Sequence, residues 1–287
     1  MRLHNLNLYN TTEYSFVTTY IWSNINKVNL YENDKFKVLI IDNKDESITL
    51  IPLAYYKDYS SCIKLALQNI DVNNINEIKY ISEDTKDAFI EYFGDRFSLE
   101  EDRDSFDYIY DADGMRTLVG RKNSKKRNHL NYFLKEYKNR YEYKSLGRDD
   151  FYDCLKLSEK WQSDKGATAD TIYEYEVINK IFDDYDFLSE HIKVGGVYVD
   201  GVLKAFSVGS LINRDTALIH IEKADSEIRG LYPFIMQQFL LNEFPDIKYV
   251  NREDDMGLDN IRKSKLSYHP CCFAKKYKFI KKQKRHS

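Results

Sequence analysis

The chain has 287 residues, a mass of 34.1 kDa, 43% apolar residues, 31% charged residues and a formal net charge of −3. This is about twice the length of a typical domain, with enough apolar residues for a hydrophobic core, which excludes a disordered protein. No run reaches the roughly 20 apolar residues of a membrane span and the N-terminus lacks signal-peptide features, so we expect a cytoplasmic protein without a transmembrane segment.

The first third of the sequence predicts a mixed α/β region. Two β-rich runs, residues 36–41 and 47–53, flank the polar segment 42–45, which is typical of a hairpin. Thr11 or Thr12 is the expected N-cap of the first helix. The other predicted elements of this region are helices over residues 12–22, 61–70 and 82–93 and strands over residues 78–81 and 108–110.

From residue 116 onward the pattern predicts a more regular α/β arrangement. Asp200-Gly201 lies between two β-rich runs and predicts a tight hairpin, the first turn of a three-stranded meander. Pro233 lies in the first turn of the helix after the meander, where its missing N–H is not needed. The predicted helices cover residues 124–137, 149–163, 173–182, 231–244 and 258–266, and the predicted strands cover residues 141–146, 192–199, 202–212, 216–223, 247–252 and 272–280.

Positive charge is concentrated in two short stretches of this acidic chain. Residues 121–141 carry 8 basic and 1 acidic side chains, and the last 27 residues carry 10 basic and no acidic side chains. Such clustering predicts an anionic partner, namely the phosphates of a cofactor, a tRNA or lipid head groups at a membrane surface. Lys125, Lys126 and Arg127 are the candidate phosphate-binding residues; the alternative is a solvated helix face.

Three stretches of the sequence carry a resemblance to known families. Lys125-Lys126-Arg127-Asn128, followed by an apolar helix, resembles the start of the second domain of Fem-type aminoacyltransferases. Arg229-Gly230-Leu231-Tyr232 and the polar segment 251–258, continuing through residues 265–270, resemble bacterial proteins related to the C-terminal domain of phosphatidylglycerol lysyltransferase. The order of elements from residue 141 is also similar to the acyl-CoA N-acyltransferase (GNAT) fold.

This resemblance implies an α/β (α+β) fold of two GNAT-like halves, with residues 1–115 as a degenerate half and residues 116–287 as a complete domain. It implies aminoacyl transfer, from aminoacyl-tRNA in the better-known relatives, to a lipid, peptide or small-molecule acceptor. Glu227 and Ile228 stand where acetyl-CoA enzymes carry more glycine, which favours a donor other than CoA. The alternatives are an acyl-CoA-dependent N-acyltransferase and a non-catalytic module that binds tRNA or a membrane surface.

In a GNAT-like domain, the helix after the meander directs its N-terminus into a cleft, where its N–H groups suit an anion. Arg229, Gly230 and Tyr232 lie at this helix start and are candidate donor-binding residues; an ordinary turn is the alternative. Asn251, Arg252 and Glu253 end the following strand and are candidates for the same cleft, because strand ends beside helix N-termini often carry sites. A solvated loop is the alternative for this second set.

Three residues are candidates for the chemical step. Glu222 lies on the last meander strand and would orient an amine or act as a base, unless it only pairs with a lysine. Lys265 would stabilise the charge that develops on the transferred carbonyl, and Tyr268 would donate a proton to the leaving group. We expect Arg229, Arg252 and Lys265 to line one cleft. The histidines and cysteines lack metal-ligand spacing, so we expect no metal.

Overall fold

The computed structural model describes residues 11–53, 58–166 and 168–283. The N-terminal stretch without signal-peptide features and the end of the basic tail lie outside these residues. Within the described part, no helix combines the length and apolar character needed to span a membrane. The α-helices are α1 Phe16–Ile21, α2 Tyr59–Leu67, α3 Lys86–Phe93, α4 Ala112–Thr117, α5 Ser124–Glu136, α6 Phe151–Lys165, α7 Ala169–Asp183, α8 Tyr185–Leu188, α9 Leu231–Asn242 and α10 Asp259–Leu266.

The strands form two sheets, one of six strands and one of seven, which confirms the predicted mixed α/β class. The strands are β1 Lys27–Glu32, β2 Lys37–Asp42, β3 Ile48–Leu53, β4 Glu77–Ser82, β5 Phe97–Glu101, β6 Asp107–Asp111, β7 Tyr141–Ser145, β8 Ile192–Val199, β9 Val202–Asn213, β10 Thr216–Ala224, β11 Tyr249–Asn251, β12 Cys272–Ala274 and β13 Lys276–Lys281.

The first sheet has the strand order β1-β2-β3-β4-β13-β5. The predicted hairpin is confirmed, since β2 pairs with β3 in antiparallel register from Lys37 opposite Leu53 to Asp42 opposite Ile48. Helices α2 and α3 bury Ile63 and Phe89 against this sheet, in a core that also contains Phe279 of β13. Sequence analysis missed the edge strand β1, whose Leu30 is exposed, and the short strand β5.

The second sheet has the order β12-β6-β11-β10-β9-β8-β7. The predicted meander is confirmed: β8 pairs with β9 and β9 with β10, all antiparallel, with Val197 opposite Ala205 and Gly196 opposite Phe206. Helix α9 is apolar on nearly all sides and buries Phe234 and Phe239 against this sheet, because it is covered by other elements around most of its circumference.

The described chain groups into two compact units. One contains Tyr108–Glu253 and Asn260–Cys272, and the other contains Glu13–Asp107, Asp254–Asp259 and the segment from Phe273 onward. The division into residues 1–115 and 116–287 stays a prediction. The compact units differ from it in their first boundary, which falls at Tyr108, and in being made of several segments each. The chain enters each unit more than once, because β13 at the C-terminal end pairs with β4 and β5 of the first sheet.

The start of the first helical segment differs from the sequence prediction. Residues Thr12–Tyr14 form a turn of 3-10 helix, and α1 begins only at Phe16. Its N-cap is Ser15, whose hydroxyl accepts a hydrogen bond from the N–H of Thr18 at 3.2 Å, and not Thr11 or Thr12. All of these residue types can cap a helix, so composition alone left the position open.

Candidate functional site

The site lies where two parallel strands of the second sheet separate. Strands β10 and β11 pair only from Thr216 opposite Tyr249 to Leu218 opposite Asn251. Beyond this pairing, β10 continues to Ala224, whereas β11 ends at Asn251. The last residues of β10 and the residues after β11 are therefore not paired with each other and can line a cavity. A cleft of about 450 Å³ opens there, bounded by α5, the start of α9 and the end of α10.

An ion pair between Glu222 and Arg252 lies in this cleft. The Nη2 of Arg252 donates to Oε1 of Glu222 at 3.1 Å, and the side chains are only 10% and 13% exposed. Burial raises the pKa of the Glu222 carboxyl, and the positive charge of Arg252 opposes that rise. Oε2 of Glu222 and Nη1 of Arg252 are also buried and have no hydrogen-bond partner within the described chain. The pair therefore holds one buried acceptor and one buried donor whose hydrogen bonds the described chain does not supply.

Aromatic rings surround the guanidinium of Arg252. Its Cζ lies 5.0 Å from the centre of the Tyr268 ring and 6.0 Å from that of Tyr110, and the two tyrosine rings meet edge to face. These contacts help to hold a cation away from water. Burial raises the pKa of the Tyr268 hydroxyl, so this group is protonated at neutral pH and can donate a hydrogen bond.

The predicted phosphate-binding residues on α5 separate in the structure. Lys125 and Lys126 both line the cleft. Arg127 lies elsewhere: its Nη1 donates to the carbonyl oxygens of Leu118 at 2.5 Å and Gly120 at 3.1 Å, and so holds the loop before α5. Neighbouring residues on a helix point about 100° apart, which explains why one basic run serves two purposes.

Lys265 is placed behind the cleft wall. Its ammonium donates to the carbonyl oxygen of Arg252 at 2.5 Å, while its own carbonyl accepts from the Tyr110 hydroxyl at 2.9 Å. Of the three cations expected to line one cleft, Arg229 and Arg252 are on the lining and Lys265 is not, although its charge still lowers the pKa of Glu222. The geometry places Lys265 as a support for Arg252.

Gly230 is required by the contact between α5 and α9. It has a φ of 90°, and a Cβ at this position would lie 2.1 Å from the carbonyl oxygen of His129 and 3.0 Å from Cβ of Phe133. Gly230 is a predicted donor-binding residue; in the structure, the neighbour that needs the space left by its missing side chain is helix α5. Arg229 is exposed at the cleft and its Cζ lies 4.8 Å from the centre of the Tyr132 ring.

Tyr232 lines the cleft in the first turn of α9. Its hydroxyl accepts a hydrogen bond from Nε1 of Trp161 at 3.4 Å, and burial raises its pKa. Tyr232 therefore presents a neutral hydroxyl and a ring between the cleft and the helix α6 that carries Trp161.

Several backbone N–H groups in the loop before α9 and at the start of that helix are already hydrogen-bonded within the protein. Amide N–H groups at four positions donate within the protein, and Pro233 has no N–H at all. The donating residues are Asp225, Glu227, Ile228 and Leu231. A helix N-terminus binds pyrophosphate through unpaired amides, so this loop offers a poorer cradle than a glycine-rich one.

Asn251 and Glu253 shape the end of β11. The Oδ1 of Asn251 accepts from the N–H of Glu253 at 2.7 Å, and Glu253 has a positive φ of 56°. The Oε1 of Glu253 lies 3.4 Å from Nδ1 of His220, whose Nε2 contacts the Ser210 hydroxyl at 2.8 Å. Neither Asn251 nor Glu253 belongs to the cleft lining. Their hydrogen bond instead fixes the turn that carries Arg252.

Sequence analysis missed several residues at the cleft. Lys122 and His129 line it together with Lys125, and these three positions recur at intervals of three and four, which is one face of a helix. That spacing was readable in the sequence. Ser264 and Ser267 of the α10 region also line the cleft, and no sequence signal distinguished them from solvated residues.

Comparison with protein families gives one match over nearly the whole chain. Residues 6–280 match the family described as phosphatidylglycerol lysyltransferase, C-terminal.

Solved structures agree with this family match. A conserved protein of unknown function from Bacteroides thetaiotaomicron has a TM-score of 0.86 at 28% identity, over 96% of this chain and 93% of that one. L-PGS from Bacillus licheniformis has a TM-score of 0.67 at 12% identity, over 96% and 88% of the two chains. FemX has a TM-score of 0.56 at 9% identity, over 96% and 91%. The last two similarities show a shared fold, which confirms the predicted tandem GNAT-like architecture.

Proposed function

The chain belongs to the phosphatidylglycerol lysyltransferase C-terminal family, and we propose that it moves an aminoacyl group from an ester donor to an amine or hydroxyl acceptor. Membership of this family supports aminoacyl transfer in general.

The observation that carries the proposal is that two residues of the cleft lining, Glu222 and Arg252, each have a buried polar atom without a hydrogen-bond partner in the described chain. The Oε2 of Glu222 can accept a hydrogen bond from an ammonium group, and Nη1 of Arg252 can donate to a carbonyl oxygen. An aminoacyl ester presents these two groups on adjacent carbon atoms, so one ligand can satisfy both atoms of one ion pair. Leaving them unsatisfied costs about 1–3 kcal/mol each, which such a ligand would recover on binding.

The same arrangement supports the chemical step. Negative charge develops on the ester carbonyl oxygen as the nucleophile attacks, and the buried guanidinium of Arg252 would stabilise that charge more effectively than an exposed group would. The protonated hydroxyl of Tyr268 would donate a hydrogen bond to the leaving oxygen. Lys265 would act as a positioning residue, because it holds the carbonyl of Arg252.

We favour aminoacyl-tRNA as the donor. Lys122, Lys125 and Arg229 line the cleft and provide a positive surface suited to the phosphates of a polynucleotide. Four backbone N–H groups in the loop before α9 and at the start of that helix already donate hydrogen bonds within the protein, which disfavours the pyrophosphate of CoA as the ligand at that position. A lipid head group, a peptide or a small molecule remains the proposed class of acceptor.

The test is a transfer assay with isotopically labelled aminoacyl-tRNAs. The protein is incubated with each charged tRNA, with phosphatidylglycerol vesicles or a primary amine as acceptor, and label is followed from tRNA into product. We expect acceptor-dependent transfer, and Glu222→Gln should lower it roughly 10- to 100-fold by removing one charge-assisted hydrogen bond. Glu227→Gln, an exposed change in the neighbouring loop, is the matched control and should leave transfer unchanged.

Three results would contradict the proposal. Tight calorimetric binding of CoA, with transfer from acyl-CoA, would favour the N-acyltransferase alternative. Salt-sensitive binding of uncharged tRNA or anionic vesicles without turnover would favour a binding module. Equal losses in Glu222→Gln and Glu227→Gln would show that the carboxylate of the ion pair has no special part, provided both variants retain the near-UV circular dichroism of the parent.

A further inference from the structure

Lys126 is placed unlike any other lysine of the cleft. It lies in the first turns of α5, is half-buried, and its Nζ sits 3.9 Å from the centre of the Tyr268 ring. No carboxylate of the described chain comes within ion-pair distance of this Nζ. The adjacent Lys125 is exposed on the same lining, so the pair offers a half-buried amine and an exposed one in a single turn of helix.

The charged and titratable groups around Lys126 come from every element of the cleft. Burial and the positive charges of Arg252 and Lys125, opposed by Glu222, together lower the pKa of Lys126 to about 8. The other titratable groups that line this space are Lys122, His129, Arg229, Tyr232 and Tyr268. The pKa of His129 is also lowered, by burial and by its cationic neighbours. At pH 7.5 roughly a quarter of Lys126 is then a free amine, against about one in a thousand for an ordinary lysine.

We propose that Lys126 accepts the proton of the attacking nucleophile, as a catalytic residue beside the Glu222–Arg252 pair. This inference rests on the proposed aminoacyl transfer. Its basis is geometric. The amine belongs to the cleft lined by Glu222 and Arg252, and no carboxylate of the described chain lies within ion-pair distance of it. It also faces the ring of Tyr268, which stabilises the ammonium once it forms.

The lone pair of the acceptor nitrogen or oxygen forms a bond to the ester carbonyl carbon while its proton moves to Nζ of Lys126. The bond between the carbonyl carbon and the leaving oxygen then breaks, and the ammonium of Lys126 returns the proton to that oxygen. With an amine acceptor, an ester and an amine become an amide and an alcohol; with a hydroxyl acceptor, an ester and an alcohol become a new ester and the released alcohol. In both cases no proton or electron is left over.

The first experiment is independent of activity. The protein is pulse-labelled with acetic anhydride from pH 6 to 11, and acetylation at each lysine is quantified by mass spectrometry of peptides. Lys126 should reach half of its maximal reactivity near pH 8, well below the pH at which an unperturbed lysine side chain does so. Half-maximal reactivity at about pH 10.4, the ordinary value for a lysine side chain, would overturn the inference, because Lys126 would then be an ordinary ammonium group at neutral pH.

The second experiment uses the transfer assay. Lys126→Arg keeps the positive charge and the contact with Tyr268 but cannot accept a proton, so transfer should fall about 100-fold or more with donor affinity nearly unchanged. Lys135→Arg, an exposed change on the same helix outside the cleft lining, is the matched control and should retain the parent rate. In Lys126→Gly, added small primary amines should restore transfer, with an acidic limb of the pH profile that follows the pKa of the added amine.

The outcomes separate this inference from the proposed function. Transfer at the parent rate by Lys126→Arg, with an unchanged pH profile, would overturn the role of Lys126 and leave aminoacyl transfer standing. Absence of transfer by the parent protein with every charged tRNA would refute the proposed function and, with it, the catalytic role, whereas the acetylation profile would still report the state of the amine.

Discussion

Replacing Gly230 by alanine gives a quantitative test of how α5 and α9 are packed. The residue is buried, has a φ of 90°, and its missing Cβ leaves room for the carbonyl oxygen of His129, which would lie 2.1 Å away. Ordinary contact needs more than 3.0 Å, so the start of α9 must move by about 1 Å relative to α5. A left-handed φ costs alanine about 1–2 kcal/mol, and overpacking costs about 1–3 kcal/mol more. The expected loss in the free energy of unfolding is therefore about 2–5 kcal/mol.

Gly201→Ala is the matched control for this change. Gly201 has a similar positive φ of 77° in the β8–β9 hairpin, and a Cβ there would meet nothing within 4 Å. This variant should lose only the backbone contribution, about 1–2 kcal/mol. Urea unfolding of both variants, followed by circular dichroism, measures the difference. Equal losses would show that the approach of α9 to His129 relaxes freely, and the account of this glycine would then be wrong.

Three further predictions concern charged residues. Burial raises the pKa of Glu13 from 4.5 to about 7, so the folded state retains a proton that the unfolded state releases; stability should fall as pH rises from about 4.5 to 7, and Glu13→Gln should flatten this dependence in urea titrations. Arg127→Gln should cost about 1–3 kcal/mol of stability through two lost loop contacts, whereas Lys125→Gln should stay within about 0.5 kcal/mol. Lys122→Gln should lower the slope of log affinity for tRNA against log salt by about 0.7–0.9, as measured by filter binding.

Most of the order of elements could be predicted, because most helices and strands follow from the residue pattern of their own segment. The meander follows from β-rich runs separated by Asp200-Gly201 and by residues 213–215, and both turns lie where the structure has them. Strand β1 was missed because its burial alternates only weakly at an exposed sheet edge. Strand β13 was predicted as one run with β12, yet the two belong to different sheets. Which sheet a strand joins depends on partners distant in sequence, and no local pattern records it.

Lys126 and Arg127 show that the local sequence pattern also does not determine which residues a side chain contacts at the site. Their side chains are similar in the sequence, and both belong to one basic run that predicts phosphate contacts. In the structure, Arg127 binds two loop carbonyls and Lys126 faces Tyr268, a residue that a different part of the chain brings to α5. Charge density can be read from the sequence, but burial and the choice of neighbours set the pKa of a lysine. The feature that makes Lys126 suited to accept a proton therefore arises only when α5, β10 and the end of α10 come together.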